Sequence, residues 1–294
     1  MVPPDLLPPF TESVAGRPAS RLFRLGNRLV EMRFPTVMGI LNVTPDSFYE
    51  PSRAVHEEAI ISRCARMLEE GATWIDVGGF SSRPGSEMPS PDEELSRLCR
   101  ALDLIRGRFD DALISVDTAR AVVASRVVKD YNVGMINDIS GGTLDDTLFE
   151  TLPSLHVPYV LSHIRGTPLT MQEEPVYEDL MREMALYFSE KINRLHHLGV
   201  ADIIIDPGFG FGKTWEHNRQ LMCELASLTQ HGLPLMIGVS RKSMIYKTLG
   251  VAPEQALNGT TVAHVFALLR GADFLRVHDV KEAVECIRLT EAFR

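Results

Sequence analysis

The sequence predicts an α/β fold, a single-domain (β/α)8 TIM barrel with a short N-terminal hairpin, and three observations predict it. Short apolar runs alternate with helix-length amphipathic segments from residue 36 to the end. The runs are continuously apolar, as parallel strands covered on both faces are. Each run closes on polar residues: Asn42-Val-Thr-Pro-Asp46, Asp76-Val-Gly-Gly, Asp117-Thr118, Asn137-Asp138, Ser162-His163-Ile-Arg165, Asp206-Pro-Gly, Ser240-Arg241-Lys242-Ser243 and Arg276-Val-His278. Eight such ends are what this barrel needs to build one active site at its C-terminal face.

Taken in order, residues 1–20 are proline-rich and aperiodic, an extended or mobile lead-in. Residues 21–34 predict a hairpin turning at Gly26-Asn27, suited to plug the N-terminal mouth of the barrel. Strands are expected near 36–42, 73–78, 112–116, 133–137, 157–162, 202–206, 234–239 and 273–277. Helices are expected near 54–71, 91–107, 119–130, 144–153, 176–199, 215–230, 241–270 and 280–293. Pro91-Asp92-Glu93-Glu94 places proline and acids in a first helical turn, where the helix dipole favours them. The stretch 241–270 is too long for one helix and is expected to break around Gly250 to Gly259 into a loop and a second helix. The division is therefore an N-terminal extension and hairpin over 1–34 and one barrel domain over 35–294.

A chain of 294 residues that is 45% hydrophobic can bury a sizeable core. Its net charge of −9 argues against a general nucleic-acid binder. Cys64, Cys99, Cys223 and Cys286 lie far apart with no CxxC pair, so they read as buried reduced thiols. With no apolar run of membrane-spanning length and no secretory layout at the N-terminus, the expectation is a cytoplasmic enzyme with no membrane partner.

Asp117, Asn137, Asp206 and Lys242 fall at or just beyond strand ends, where an unpaired charge is costly to bury. Converging on one mouth, they offer acceptors, an amide and a cation, which suits a flat heterocycle bearing N–H donors and a carbonyl. The run Asp206-Pro-Gly-Phe-Gly-Phe-Gly-Lys213-Thr fails as a phosphate loop, because Pro207 occupies the first glycine position. It remains a glycine loop in which one of Phe209 and Phe211 lines a pocket and the other packs. Asn42, Ser82, Arg83, Arg276 and His278 offer different chemistry. Guanidinium and imidazole groups hold a polyphosphate, and an amide oxygen ligates a bridging Mg²⁺. There is no HExxH motif, and His196-His197 reads as a solvated helical pair.

The ordered set Gly-Ile-Leu-Asn42-Val-Thr-Pro-Asp46-Ser-Phe, Asp76-Val-Gly-Gly-Phe-Ser-Ser82-Arg83-Pro84-Gly, Ser-Val-Asp117-Thr, Asn137-Asp-Ile-Ser-Gly, Asp206-Pro-Gly-Phe-Gly-Phe-Gly-Lys213, Gly-Val-Ser-Arg-Lys242-Ser243 and Arg276-Val-His278-Asp-Val resembles the dihydropteroate synthase family, from about Pro35 to the C-terminus. The resemblance implies condensation of 6-hydroxymethyl-7,8-dihydropterin diphosphate with p-aminobenzoate, through an SN1-like displacement of diphosphate. It assigns Asp117, Asn137, Asp206, Lys242 and Arg276 to the pterin. Asn42, Ser82, Arg83, Arg276 and His278 go to the diphosphate, with Asn42 on Mg²⁺. Ser82, Arg83, Pro84, Phe211, Lys242 and Ser243 go to p-aminobenzoate and to the sulfonamides that compete with it. Asp117, Lys242, Arg276 and His278 are the implied catalytic set, and a homodimer through part of 241–270 is implied too.

Two departures stand out. Phe80 and Ser82 replace the family's usual Glu and Thr, and the first loop lacks the usual glycine pair after Asp46. A pterin-dependent methyltransferase would share the ring pocket but would not need Lys242, Arg276 and His278 together. A non-catalytic homologue would show damage in the two loops or in the Arg-Val-His motif.

Overall fold

A computed structural model of the chain describes residues 18–43, 53–80, 89–166, 171 and 175–293. The hairpin comes first, with β1 Ser20–Leu25 antiparallel to β2 Arg28–Arg33 around Gly26-Asn27. Eight parallel strands follow: β3 Thr36–Asn42, β4 Trp74–Gly78, β5 Leu113–Asp117, β6 Met135–Asp138, β7 Tyr159–Ser162, β8 Ile203–Asp206, β9 Met236–Ile237 and β10 Phe274–Val277. Their spatial order is β8-β7-β6-β5-β4-β3-β10-β9. A parallel bridge between Ile205 and Leu235 joins the two outer strands of that order. Strand β9 is shorter than the expected 234–239, because Pro234 has no N–H to donate and Gly238 follows the pair.

Helices α1 Arg53–Glu69, α2 Pro91–Arg108, α3 Ala121–Tyr131, α4 Leu148–Leu155, α5 Leu180–Leu198, α6 Trp215–Cys223, α7 Ser243–Leu249, α8 Leu257–Leu269 and α9 Val280–Ala292 fill the connections. Helix α2 starts at Pro91, as its first-turn chemistry predicts, and Ser90 and Glu93 form a reciprocal capping box there. The helix expected over 215–230 instead stops at Cys223 and continues as a 3₁₀ turn, Leu225–His231.

The break in 241–270 is narrower than expected. Gly250 ends α7 in a left-handed conformation and α8 is under way by Leu257, so Gly259 lies inside a helix. A Cβ at Gly259 would stand 2.6 Å from Ile245 Cγ2, which is why α7 can lie against α8 only where this side chain is missing.

Two apolar sets interleave along the strands. Ile75, Ile114, Ile136, Leu161, Ile205, Ile237 and Leu275 pack outward beneath the helices. Met38, Trp74, Met135, Val160, Ile204, Met236 and Phe274 form a separate lumen cluster with Phe23, Leu25 and Met32 of the hairpin. The hairpin is thus the floor of the barrel, and burying each of these large side chains contributes roughly 1.5–3 kcal/mol. Gly26 N donating to His156 O at 2.8 Å and Arg24 N donating to Asp202 Oδ2 at 2.7 Å fix it in place.

Candidate active site

The side-chain period of a strand is two residues, so the positions one pleat above the lumen cluster also face inward. Trp74 is followed there by Asp76, Met135 by Asn137, Val160 by Ser162, Ile204 by Asp206 and Phe274 by Arg276. The apolar floor therefore carries a polar layer directly on top of it, at the C-terminal mouth. Asp76 and Asp138 are fully buried, and Asp117, Asn137 and Asp206 nearly so.

Arg276 organises this layer. Its Nε donates to Asp76 Oδ2 at 2.7 Å and its Nη2 to Asp117 Oδ2 at 2.9 Å. Asn137 Nδ2 donates to the same Asp76 oxygen at 3.0 Å. Burial works against the Arg276 cation, yet the two carboxylates hold it charged well above the ordinary guanidinium range. Burial pushes Asp117 from 3.8 up to about 7, against the pull of Arg276 and with help from the Asp76 charge. Burial likewise raises Asp206, opposed by Lys242 and by the Gly208 amide that donates to Asp206 Oδ1 at 2.7 Å. The second oxygens of Asp76 and Asp117 are buried with no hydrogen-bond partner among the described residues.

The glycine loop after β8 folds back against β7. Gly208 (φ 66°) passes so close to His163 that a Cβ would sit 2.0 Å from its carbonyl oxygen, and Gly212 (φ 60°) approaches the Arg165 carbonyl in the same way. Lys213 pins the loop from inside. Its Nζ donates to Gly208 O at 3.0 Å and Phe211 O at 3.1 Å, and lies 2.9 Å from His163 Nδ1. Burial brings Lys213 down to about 7 and His163 well below its usual value. Phe209 is completely buried, while Phe211 presents its ring to Lys242, whose Nζ lies 4.1 Å from the centroid. Lys242 Nζ also donates to the Phe209 carbonyl. Burial lowers its pKa to about 8, with Asp206 resisting.

Asn42 ends β3 as an exposed side chain, with its Oδ1 3.2 Å from the point where a Cβ on Gly78 would stand. His278 Nδ1 is 3.1 Å from Ser240 Oγ, and Arg63 on α1 donates to the His278 carbonyl. Burial and then Arg276 lower His278 to about 4, so the ring is neutral at pH 7 and offers hydrogen bonds rather than a positive charge. Ser243 is exposed at the start of α7. Ser82, Arg83 and Pro84, like Asp46, lie outside the described residues. On either side of them, the Gly79 carbonyl accepts from Arg97 at 3.3 Å and the Pro89 carbonyl accepts from Arg120 at 2.6 Å. Phe80, at the family's usual Glu position, is buried.

Sequence reasoning gave roles at this mouth to Asp117, Asn137, Asp206, Lys242 and Arg276 but none to Asp76 or Lys213, although both stand in the strand-end motifs. Asp76 had a signal, an acid inside an otherwise apolar run. Lys213 had none beyond the glycine loop, because its partner His163 is distant in sequence.

Three buried carboxylates, two cations and an amide at the C-terminal mouth of a TIM barrel define a small-molecule enzyme site for a polar planar ring. The family model described as "Pterin binding enzyme" matches residues 38–278. The dihydropteroate synthase of Escherichia coli K12 is 42% identical over 276 residues, covering 92% of this chain and 96% of that protein. The Yersinia pestis dihydropteroate synthase solved with a sulfonamide drug superposes with a TM-score of 0.85 at 39% identity, over 93% of this chain and 99% of that one. The Xanthomonas albilineans enzyme solved with 4-aminobenzoic acid gives 0.84 at 35% identity, over 93% and 98%. The chain belongs to the dihydropteroate synthase family of pterin-binding transferases. The expected hairpin and barrel hold across that family comparison. Among the described residues no helix is long and apolar enough to cross a membrane.

Proposed function

We propose that this chain condenses 6-hydroxymethyl-7,8-dihydropterin diphosphate with p-aminobenzoate to give 7,8-dihydropteroate and diphosphate. The pair of buried, unpartnered acceptors, Asp76 Oδ1 and Asp117 Oδ1, carries the assignment of residues. Buried acceptors are nearly always satisfied, and the N–H groups of a pterin edge are suited to satisfy these. Asn137 and Asp206 extend the same edge, and Lys242 supplies the donor for the ring's acceptor side. Phe211, Lys242 and Ser243, with Ser82, Arg83 and Pro84, take p-aminobenzoate. The 4-aminobenzoic acid and sulfonamide complexes of relatives support that ligand and its competitors.

The amine of p-aminobenzoate is already neutral, so the site needs no strong base. The carbon–oxygen bond to diphosphate breaks first, the leaving group keeps the electron pair, and the amine nitrogen then bonds to the exocyclic methylene and loses a proton. Asp76, Asp117 and Asp206 favour the cation that develops on the ring, while Arg276 and His278 hold the departing oxygens. Diphosphate release should require both substrates and Mg²⁺. Bound pterin without release under any condition would indicate a binding protein instead.

Asn42 fits a Mg²⁺ ligand chemically: it is a hard, neutral oxygen donor at the rim. Among the described residues no three His, Cys, Asp or Glu side chains form a metal cage. One protein ligand completed by phosphate oxygens and water is a usual Mg²⁺ arrangement, and the ion would neutralise charge on the leaving diphosphate. Asn42→Ala should raise the Mg²⁺ needed for half-maximal rate by roughly tenfold or more and leave affinity for diphosphate-free pterin unchanged. A loss of pterin affinity equal to the loss of rate would remove Asn42 from that role.

The raised Asp117 gives a pH test. Burial holds its folded value near 7, above the ordinary 3.8, so the stability it contributes is present below about pH 4 and is lost as pH rises through 7. Pterin donors would favour the carboxylate and pull that value down. Pterin binding near pH 7 should therefore release protons and weaken as pH falls below 7. Calorimetry in buffers of different ionisation enthalpy measures the release, and equal release from Asp117→Asn would sink the assignment.

The same reading makes the protein a cytoplasmic homodimer joined through α7 and α8, which expose Leu249 and Val262. Sedimentation at micromolar concentration tests the dimer.

A further inference from the structure

Arg241 is built into the site without facing it. It is a non-glycine residue held at φ 55°, a conformation that costs roughly 1–2 kcal/mol for a side chain of its kind. Its surroundings fix it on every side. Nε and Nη2 each donate at 2.8 Å to the two oxygens of Asp279, a bidentate pair. Nη1 donates to Glu254 O at 2.8 Å and Pro253 O at 3.3 Å, and the backbone N–H donates to Thr260 Oγ1 at 3.1 Å. Burial opposes the Asp279 carboxylate, yet Arg241 holds it below its usual range.

The neighbours of this pair are the two arms of the site. Lys242 follows Arg241 directly and reaches the Phe209 carbonyl and the Phe211 ring. His278 precedes Asp279 directly, and its N–H and Nδ1 both meet Ser240 Oγ, at 3.2 and 3.1 Å. The dipeptides Ser240-Arg241 and His278-Asp279 are thus interlocked residue by residue across two strand ends. Strand β9 contributes only two residues to the ladder, Met236 and Ile237 against Phe274 and Leu275, so the backbone pairing ends before Ser240 and His278.

We propose that the Arg241–Asp279 pair is a positioning device that sets Lys242 and His278 in one frame, coupling the ring end of the site to its leaving-group end. This rests on the synthase reading above. Misplacement by about 1 Å far from the reacting atoms can cost about 100-fold in rate, and no part of the pair itself need touch substrate.

Arg241→Gly removes the guanidinium while accepting φ 55° without strain, and Asp279→Asn removes the charge on the other side. Each should lower kcat/KM for dihydropterin diphosphate by roughly 100-fold, with kcat falling as well as KM rising. The double variant should be no worse than either single one, since residues acting as a unit are not additive. Arg241→Lys keeps the charge but not the bidentate geometry, and should recover only part of the loss.

A readout independent of turnover is the His278 ring, titrated by NMR. The charged groups around it are Arg276, Asp279, Arg241 and Arg63. Arg241→Gly leaves Asp279 unneutralised and should raise the titration midpoint, whereas Asp279→Asn should not. Wild-type kinetics in both single variants, additive losses, or losses that track the unfolding midpoint alone would each overturn the proposal. A wild-type protein that releases no diphosphate would defeat the synthase reading instead, and the His278 titration would still test the pair.

Discussion

Arg276→Met should lower the free energy of unfolding by about 3–5 kcal/mol, the cost of leaving a buried charge without its partner. Two carboxylates lose their cation at once. Asp76 keeps only the Asn137 amide, and Asp117 loses its one contact among those at this mouth. Asp117, already near 7 by burial, must move further up. A raised acid stabilises the fold below about pH 4 and ceases to do so as pH passes its folded value. The deficit should therefore be smallest near pH 5 and should widen towards pH 8. Asp117→Asn in the same chain removes one of the orphaned charges and should restore part of the loss, a coupling that a double-mutant cycle reads directly. Activity should fall by roughly 10²–10³-fold at temperatures where the variant is folded, as expected for losing a preorganised cation in a transition state. Denaturant unfolding at pH 5 and pH 8 checks the first claim, and diphosphate release checks the second. An unfolding deficit that does not change with pH would show that the two aspartates are not its source.

The legibility of this site in the sequence follows from the pleat. Lumen and outer faces are both apolar along most of each strand, so the runs read as continuous. The first inward position above the floor is polar, and it interrupts the run at the mouth. That is why Asp117, Asn137, Asp206 and Arg276 stand out as a set. Asp76 belongs to the same layer, but a single acid bears no mark of its partner, and Arg276 lies 200 positions away. The charge state of His278 was hidden for a similar reason: burial and the adjacent Arg276 decide it, and neither is written in a local motif. The hairpin plug was legible because its apolar residues flank a turn pair, Gly26-Asn27. The narrow break between α7 and α8 was not, because Gly259 reads as a helix breaker until the approach of Ile245 explains it.

Lys242→Met, unlike Arg276→Met, should leave stability almost unchanged while losing activity on the same scale. Burial depresses the Lys242 pKa from 10.5 to about 8. For a lysine this sign means that the fold disfavours the charged form, so the penalty is complete below about pH 8 and disappears above the unfolded value. Methionine keeps the stem against Phe211 and abolishes the penalty. Against that, Asp206 loses one of the charges that resist its upward shift, although the Gly208 amide and Arg276 remain beside it. The two effects oppose one another, and the unfolding free energy at pH 7 should stay within about 1 kcal/mol of the parent. Capture of pterin should nevertheless weaken, and kcat/KM should drop by roughly 10²–10³-fold, because no other described side chain offers a cation at the Phe211 face. Pterin titration by fluorescence and unfolding at pH 7 separate the outcomes. If Lys242→Met unfolds as readily as Arg276→Met, the lysine is a structural counter-charge for Asp206 rather than a ligand-binding group. If it keeps both stability and pterin affinity, the donor to the ring's acceptor edge must be sought elsewhere in the mouth.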